Sequence, residues 1–310
     1  TVTRLTEVLF EAAGVNVLTG GNIGRPALDL LNESEPDYYL LELSSFQLET
    51  TSHLAAEVAT ILNISPDHMD RYHDIDSYAA AKVRISKLAN TIILNRDDPK
   101  LASFSRRTSV PRVVTFGLNE PKSETDFGLV KQGSEDYLVH GNDSLLSARE
   151  LKIEGRHNIA NALAALAIVK TIVSGCTAEM LDALRSFSGL PHRCEIIGDY
   201  RGVLWINDSK GTNVGATIAA LEGIGRPIVL IAGGQAKNAD FEPLARSAQR
   251  FARQVVLFGE DRQWIRGYLS QAVPVTTVTT LEQAVRLASG WAQPGDAVLF
   301  SPACASFDMF

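Results

Sequence analysis

Apolar residues along the chain recur in two rhythms. Val2, Leu5, Val8 and Leu9 have helical spacing, and Val2 to Ala13 reads as a helix ended by Gly14. Short apolar runs at Val15–Leu18, Tyr38–Leu43, Val58–Ile64, Thr91–Asn95 and Val113–Phe116 read as buried strands, with a helix at Ser77–Leu88 among them. Phe127–Val130 and Tyr137–His140 read as an antiparallel hairpin, and His157–Ser174 and Ala178–Ser186 as helices. Gly189 and Pro191 then punctuate the stretch Phe187 to Arg193, which divides the chain into a domain of residues 1–189 and a second of 190–310. In the second, strands at Val203–Ile206, Ile228–Ile231, Val255–Phe258, Val275–Val278 and Ala297–Phe300 alternate with helices at Asn213–Leu221, Phe241–Phe251, Arg262–Leu269 and Leu281–Ala288. That alternation predicts an α/β protein whose second domain is a mostly parallel, Rossmann-like sheet.

Composition narrows the function classes. The 310 residues are 45% hydrophobic and 21% charged, enough for two domains with sizeable cores. A net charge of -7 argues against a general nucleic-acid binder, though a nucleotide needs only a local positive site. Cys176, Cys194 and Cys304 are widely spaced and form neither a metal pattern nor a disulfide framework, which points to a reducing cytoplasm. No apolar run in these 310 residues is long enough to span a membrane, and no signal peptide is expected.

The polar residues that follow the apolar runs carry the candidate chemistry, because open α/β sheets bind ligands at the carboxyl ends of their strands. Glu42 closes one strand and suits Mg²⁺, although a lone strand-end carboxylate is more often a cap or surface charge. Asp67, His68, Asp70 and Arg71 cluster after another strand. Lys82 lies between Tyr78 and Ile85 beside three alanines, a setting that favours burial. A buried lysine keeps more of its amine free, and a free amine reacts with CO₂ to form a carbamate, an oxygen ligand. Asn158 and Asn161 share a helix face, where they either read a nucleotide or cap the helix. Gly20-Gly21-Asn22 forms a glycine-rich turn. In the second domain Asn207 to Asn213, Gly233 to Lys237 and Ser301 to Ser306 each follow a strand, and a helix N-terminus at such a place attracts anions.

The strings Gly20–Gly24, Glu42–Glu49, Asp67–Tyr72, Ala81–Arg84, His157-Asn158 with Asn161, Gly189–Arg193, Asn207–Asn213 and Ser301–Ser306 together resemble the Mur ligases, most of all the D-glutamate-adding branch. The resemblance implies a central P-loop-type ATPase domain followed by a Rossmann-like domain that binds an amino acid. It implies an ATP-dependent enzyme of peptidoglycan synthesis that joins D-glutamate to UDP-N-acetylmuramoyl-L-alanine through an acyl phosphate, helped by two Mg²⁺ ions. Glu42 would serve the first ion, and His68 with a carbamylated Lys82 the second. Asn161, His192, Arg193 and Asp208 would bind the nucleotide. Asn22, Ser44 and Gln47 would contact the UDP-linked substrate, and Lys210, Thr212, Lys237, Ser306 and Phe307 would hold D-glutamate. A cytoplasmic monomer without nucleic-acid or membrane partners is expected.

The chain departs from the family at its ends. No G-x-x-x-x-G-K-[ST] string occurs in the 310 residues, and the resemblance implies that Thr1 would be the residue just after a P-loop Lys-Ser. The chain stops at Phe310, short of the family's usual end. The expectation is a piece without the first domain, inactive by itself. Two alternatives remain: another Mur-type or folylpolyglutamate-type ligase, and a non-catalytic nucleotide-binding protein.

Overall fold

The structure, a computed structural model, describes all residues except 70, 107–109, 154, 174, 237–238 and 306–310. The chain forms two compact units: Thr1–Ser65 with Tyr72–Ser188, and Pro66–Arg71 with Gly189–Phe310.

In the first unit α1 (Val2–Ala12) leads to the parallel pair β1 (Val17–Gly21) and β2 (Tyr38–Glu42). Next come α2 (Ser45–Thr50), β3 (Ala56–Ile61), α3 (Ile75–Val83), β4 (Ala89–Asn95), α4 (Pro99–Ser105) and β5 (Arg112–Phe116). The meander β6 (Phe127–Gln132), β7 (Glu135–His140) and β8 (Asp143–Ser147) precedes α5 (Arg156–Ile172) and α6 (Ala178–Ser186). A six-stranded sheet runs β3-β4-β5-β6-β7-β8, parallel as far as β6 and antiparallel beyond it. Ile92, Ile93 and Leu94 of β4 are fully buried, as expected of a strand covered on both faces. The alanine-rich α5 packs on this sheet and on α1. Its start requires Gly155, whose φ of 97° is left-handed.

The second unit contains β9 (Glu195–Tyr200), β10 (Val203–Asn207), α7 (Val214–Gly223), β11 (Ile228–Gly233), α8 (Glu242–Phe251), β12 (Ala252–Phe258), α9 (Arg262–Leu269), β13 (Val275–Thr277), α10 (Leu281–Trp291) and β14 (Ala297–Phe300). The strand order is β13-β12-β11-β14-β10-β9, parallel except for β9. Side chains alternate across this sheet. Leu204, Ile206, Leu230, Val255, Leu257 and Leu299 share one core with α7, α8 and α9, while Val203, Val229, Ile231, Val256, Phe258 and Val298 form another with Ala284 and Ala288 of α10.

Several elements differ from the sequence-based expectation. The first strand begins at Val17 and runs into the glycines. The helix expected over Ser77–Leu88 is α-helical only to Val83 and tightens to a 3-10 helix over Arg84–Leu88. The strand expected to reach Ile64 stops at Ile61, and Pro66–Arg71 groups with the second unit, where Asn213 Nδ2 donates to Asp67 Oδ2 at 3.4 Å. Among the described residues no helix is long and apolar enough to cross a membrane.

Candidate functional site

Close backbone approach explains the glycine pair at the end of β1. Gly21 stands opposite Glu42 in register, and a Cβ on it would lie 2.3 Å from the Glu42 carbonyl oxygen. The same carbonyl accepts from the Asn22 backbone N–H at 2.6 Å. Glu42 is half-buried, and its Oε2 accepts a 2.9 Å hydrogen bond from Thr3 Oγ1. Thus Asn22 and Glu42 are brought together at the carboxyl ends of two paired strands.

Ser44 and Gln47 engage each other in a capping box. Gln47 N donates to Ser44 Oγ at 3.2 Å, and Ser44 N donates to Gln47 Oε1 at 2.8 Å. This starts α2 at once after β2. Arg84 donates from Nε to the Leu48 carbonyl, linking α2 to the end of α3. Phe46, Tyr72 and Tyr78 form a row of rings with centroids 6.1 and 5.2 Å apart. The half-buried Lys82 ends the row, its Nζ 4.7 Å from the centroid of Tyr78, a cation–π distance.

Asn158 does not cap α5, because Gly155 is the N-cap. Asn158 is buried, and its Oδ1 accepts from Asn161 Nδ2 at 3.1 Å. Burial beside them pushes the His157 imidazole below its usual pKa, and its Nδ1 has no hydrogen-bond partner.

In the second unit the carboxyl ends of β10, β11 and β14 meet where the chain reverses its direction of strand addition, the usual binding crevice of an open α/β sheet. Asp208 follows β10 and is buried; its Oδ2 accepts from Ser301 Oγ at 2.7 Å and its Oδ1 from Cys194 N at 3.1 Å. Thr217 Oγ1 lies 2.8 Å from Ser301 Oγ. The Ser301 proton is committed to Asp208, so Thr217 is the donor in that pair. Desolvation pushes the Asp208 carboxyl above its ordinary value despite these bonds, and burial beside Asp208 drives the Cys194 thiol up to about 12. Gly211 fits over this cluster because a Cβ there would stand 2.4 Å from Asp208 Oδ2 and 2.5 Å from Ser301 Oγ.

Around the buried cluster lies an exposed polar rim. His192 takes a left-handed φ of 66°. Its Nδ1 is 2.8 Å from Asn207 Nδ2, and its carbonyl accepts from Lys210 N at 3.1 Å. Arg193, Lys210 and Thr212 are exposed. Asn213 caps α7 by accepting from Ala216 N at 2.9 Å. The end of β11 is not a helix N-terminus as expected. Gly233, Gln235 and Ala305 pair by backbone bonds with Pro302, Ala305 and Gln235, and α8 begins only at Glu242. His68, with φ 57°, donates from its backbone N to Asp67 Oδ1 at 2.9 Å. Lys237, Ser306, Phe307 and Asp70 lie outside the described residues. Among the described residues no group of three or more His, Cys, Asp or Glu side chains is arranged to hold a metal ion. Ser301 and Thr217 were not assigned from the sequence; Ser301 lay in a quoted polar string, whereas Thr217 is a helix residue without a local signal.

These two α/β units, with polar residues at strand ends in each, define an α/β protein with the strand-end crevices that bind ligands. The Mur ligase middle domain matches residues 1–169, and the Mur ligase glutamate ligase domain matches residues 192–304; the chain belongs to the Mur ligase family. A UDP-N-acetylmuramoylalanine–D-glutamate ligase of Nitrosococcus oceani is 51% identical over 313 residues, covering 100% of this chain and 68% of that relative. The protein of the same name from Pseudomonas putida is 50% identical over 317 residues, covering 100% and 69%. Among solved structures, MurF ligase from Thermotoga maritima in complex with ADP superposes with a TM-score of 0.73 at 18% identity, covering 97% of this chain and 74% of that one. Mycobacterium tuberculosis folylpolyglutamate synthase complexed with ADP and AMPPCP gives 0.72 at 14%, covering 98% and 85%. At these identities the structural likeness is one of fold.

Proposed function

We propose that the protein is an ATP-dependent ligase that adds D-glutamate to UDP-N-acetylmuramoyl-L-alanine in peptidoglycan synthesis. The observation that carries this reading is the 51% identity, across the whole chain, to a relative named for that ligation. ATP phosphorylates the substrate carboxylate, the amine of D-glutamate attacks the acyl phosphate, and the tetrahedral intermediate collapses to an amide and phosphate.

The residues divide by unit. Asn22, Ser44 and Gln47 line the strand end where the UDP-linked substrate would lie. Ser44 and Gln47 spend backbone-directed bonds on the capping box, so their role is to fix that helix start as well as to touch substrate. Asn161 would read the nucleotide with Asn158 holding its amide. From the second unit, His192 and Arg193 would reach the nucleotide directly. Asp208 has both oxygens engaged internally, and would support nucleotide binding by fixing the backbone of Cys194 next to Arg193. Lys210 and Thr212, with Lys237, Ser306 and Phe307, would hold D-glutamate. The charge of Lys210 suits a carboxylate.

Mg²⁺ takes oxygen ligands and is commonly held by one or two carboxylates together with phosphates. Glu42 fits this as a half-buried carboxylate with Oε2 engaged by Thr3. His68 and Lys82 fit a second ion only if Lys82 is carbamylated, since an ammonium has no lone pair to give. When bound, the ions neutralise the phosphoryl oxygens. A cytoplasmic, monomeric enzyme completes the reading.

The test is ADP release by the full-length protein with ATP, Mg²⁺ and UDP-N-acetylmuramoyl-L-alanine. Release that depends on D-glutamate, and not on L-glutamate, supports the assignment. Release indifferent to D-glutamate overturns it.

A further inference from the structure

A cavity of about 130 Å³ opens in the first unit among Arg112, Thr125, Phe127, His140, Lys170 and Thr171. Arg112 starts β5, Phe127 starts β6, His140 ends β7, and Lys170 and Thr171 lie in the last turn of α5. None of these residues is among the candidate site residues, and Glu42 closes a strand of the separate β1-β2 sheet.

The polar lining is cationic. Lys170 Nζ lies 2.7 Å from His140 Nδ1. An ammonium has only donors, so Nδ1 accepts, and the neutral ring carries its proton on Nε2. Phe127 packs against the same ring at a centroid distance of 4.5 Å. Burial and the neighbouring Lys170 both push His140 below its usual pKa, in keeping with a neutral donor. Asp126 and Asp143 act on His140 from nearby, but neither lines the cavity, and Asp126 Oδ1 is taken by Thr115 N at 2.7 Å. Among the described residues neither Arg112 nor Lys170 has a carboxylate partner in an ion pair.

Lys170 by itself is accounted for by the negative end of the α5 dipole. That same dipole opposes an anion, so one cation would only balance it. Arg112 comes from a different element and has no such duty. A guanidinium, an ammonium, an imidazole N–H and the Thr125 hydroxyl around a cavity that admits several waters match a doubly charged tetrahedral oxyanion, the Thr171 hydroxyl being spent on the Ala167 carbonyl. We propose that this cavity is a phosphate-class oxyanion site, separate from the ligase chemistry and ordering the C-terminal turn of α5.

The probe is inorganic phosphate, titrated into the full-length protein while backbone amide resonances are followed by NMR. Saturable shifts at residues around His140 and Thr171 are expected, weakened at least tenfold in Arg112→Gln and in Lys170→Gln. Arg112 is exposed, so Arg112→Gln leaves the fold intact and carries the test if Lys170→Gln does not fold. Acetate should bind far more weakly than phosphate. Absence of saturable shifts there, shifts unchanged in Arg112→Gln, or equal affinity for acetate would each overturn the proposal. None of these outcomes depends on ligase turnover.

Discussion

Ser301 Oγ donates a 2.7 Å hydrogen bond to Asp208 Oδ2, tying together the ends of two neighbouring parallel strands through side chains 93 positions apart. Both residues are buried, and Thr217 stands behind Ser301. The bond makes the loop after β10 and the loop after β14 one object. It also leaves a carboxylate away from water with hydroxyl and amide partners in place of a cation.

The first consequence is a pH dependence. The Asp208 carboxyl is raised above 3.8 by desolvation, so the folded state holds its proton more tightly than the unfolded chain. The contribution of this group to stability is full below about pH 3.8 and is lost as pH rises through the raised folded value. Asp208→Asn has no such loss. Denaturant titrations across pH 4–7 should show the wild type falling relative to Asp208→Asn as pH rises; parallel curves would contradict the shift.

Gly211→Ala would place a methyl 2.4 Å from Asp208 Oδ2 and 2.5 Å from Ser301 Oγ. Overpacking of that kind costs about 1–3 kcal/mol. Gly267 in α9 meets nothing within 4 Å, so Gly267→Ala should stabilise by about 0.5–1 kcal/mol through helix propensity. Urea unfolding of the two variants should therefore move in opposite directions.

Cys194 should resist alkylation. With its thiol at about 12, almost no thiolate exists at pH 8. Iodoacetamide followed by peptide mapping should leave Cys194 unmodified in the native protein and modify it after denaturation. Asp208→Asn removes a nearby negative charge and should speed the native reaction. Rapid native labelling of the wild type would contradict the burial of this thiol.

Lys82→Ala should lower ligase activity of the full-length protein by about 100-fold or more, the usual scale for removing a preorganised charge. If a carbamate is the working group, acetate should restore part of that activity by supplying carboxylate oxygens. Rescue by a small amine and not by acetate would instead assign Lys82 to direct contact with phosphate.

Periodicity made the second unit legible because its strands are buried on both faces and its helices are amphipathic; Arg262–Leu269 is a helix with the expected bounds. β9 was missed because Ile196, Ile197 and Tyr200 are exposed on an edge strand, and their pattern neither alternates nor runs apolar. β8 was missed for a related reason, as its first two residues are polar and exposed. The short helices α2 and α4 did carry local signals, a Ser44–Gln47 capping box and Asp98 before Pro99, which were not used to predict them. In the candidate site the polar strand ends were legible as strings. The roles inside them were not, because the partners of Asp208 come from distant positions and Ser44 looks the same in sequence whether it caps a helix or touches a ligand.

The order of strands in the second unit also sets a schedule. β14 follows β9 to β13 in the chain, yet it lies in the middle of the sheet, paired with β10 on one side and β11 on the other. Until residues 297–300 leave the ribosome, two apolar strands have open edges facing one another and no hydrogen-bonded neighbour between them. The central strand is thus inserted only after β9 to β13 have been made, and the nascent chain is exposed to strand-mediated aggregation until then. A termination codon upstream of Ala297 would remove the middle of this sheet.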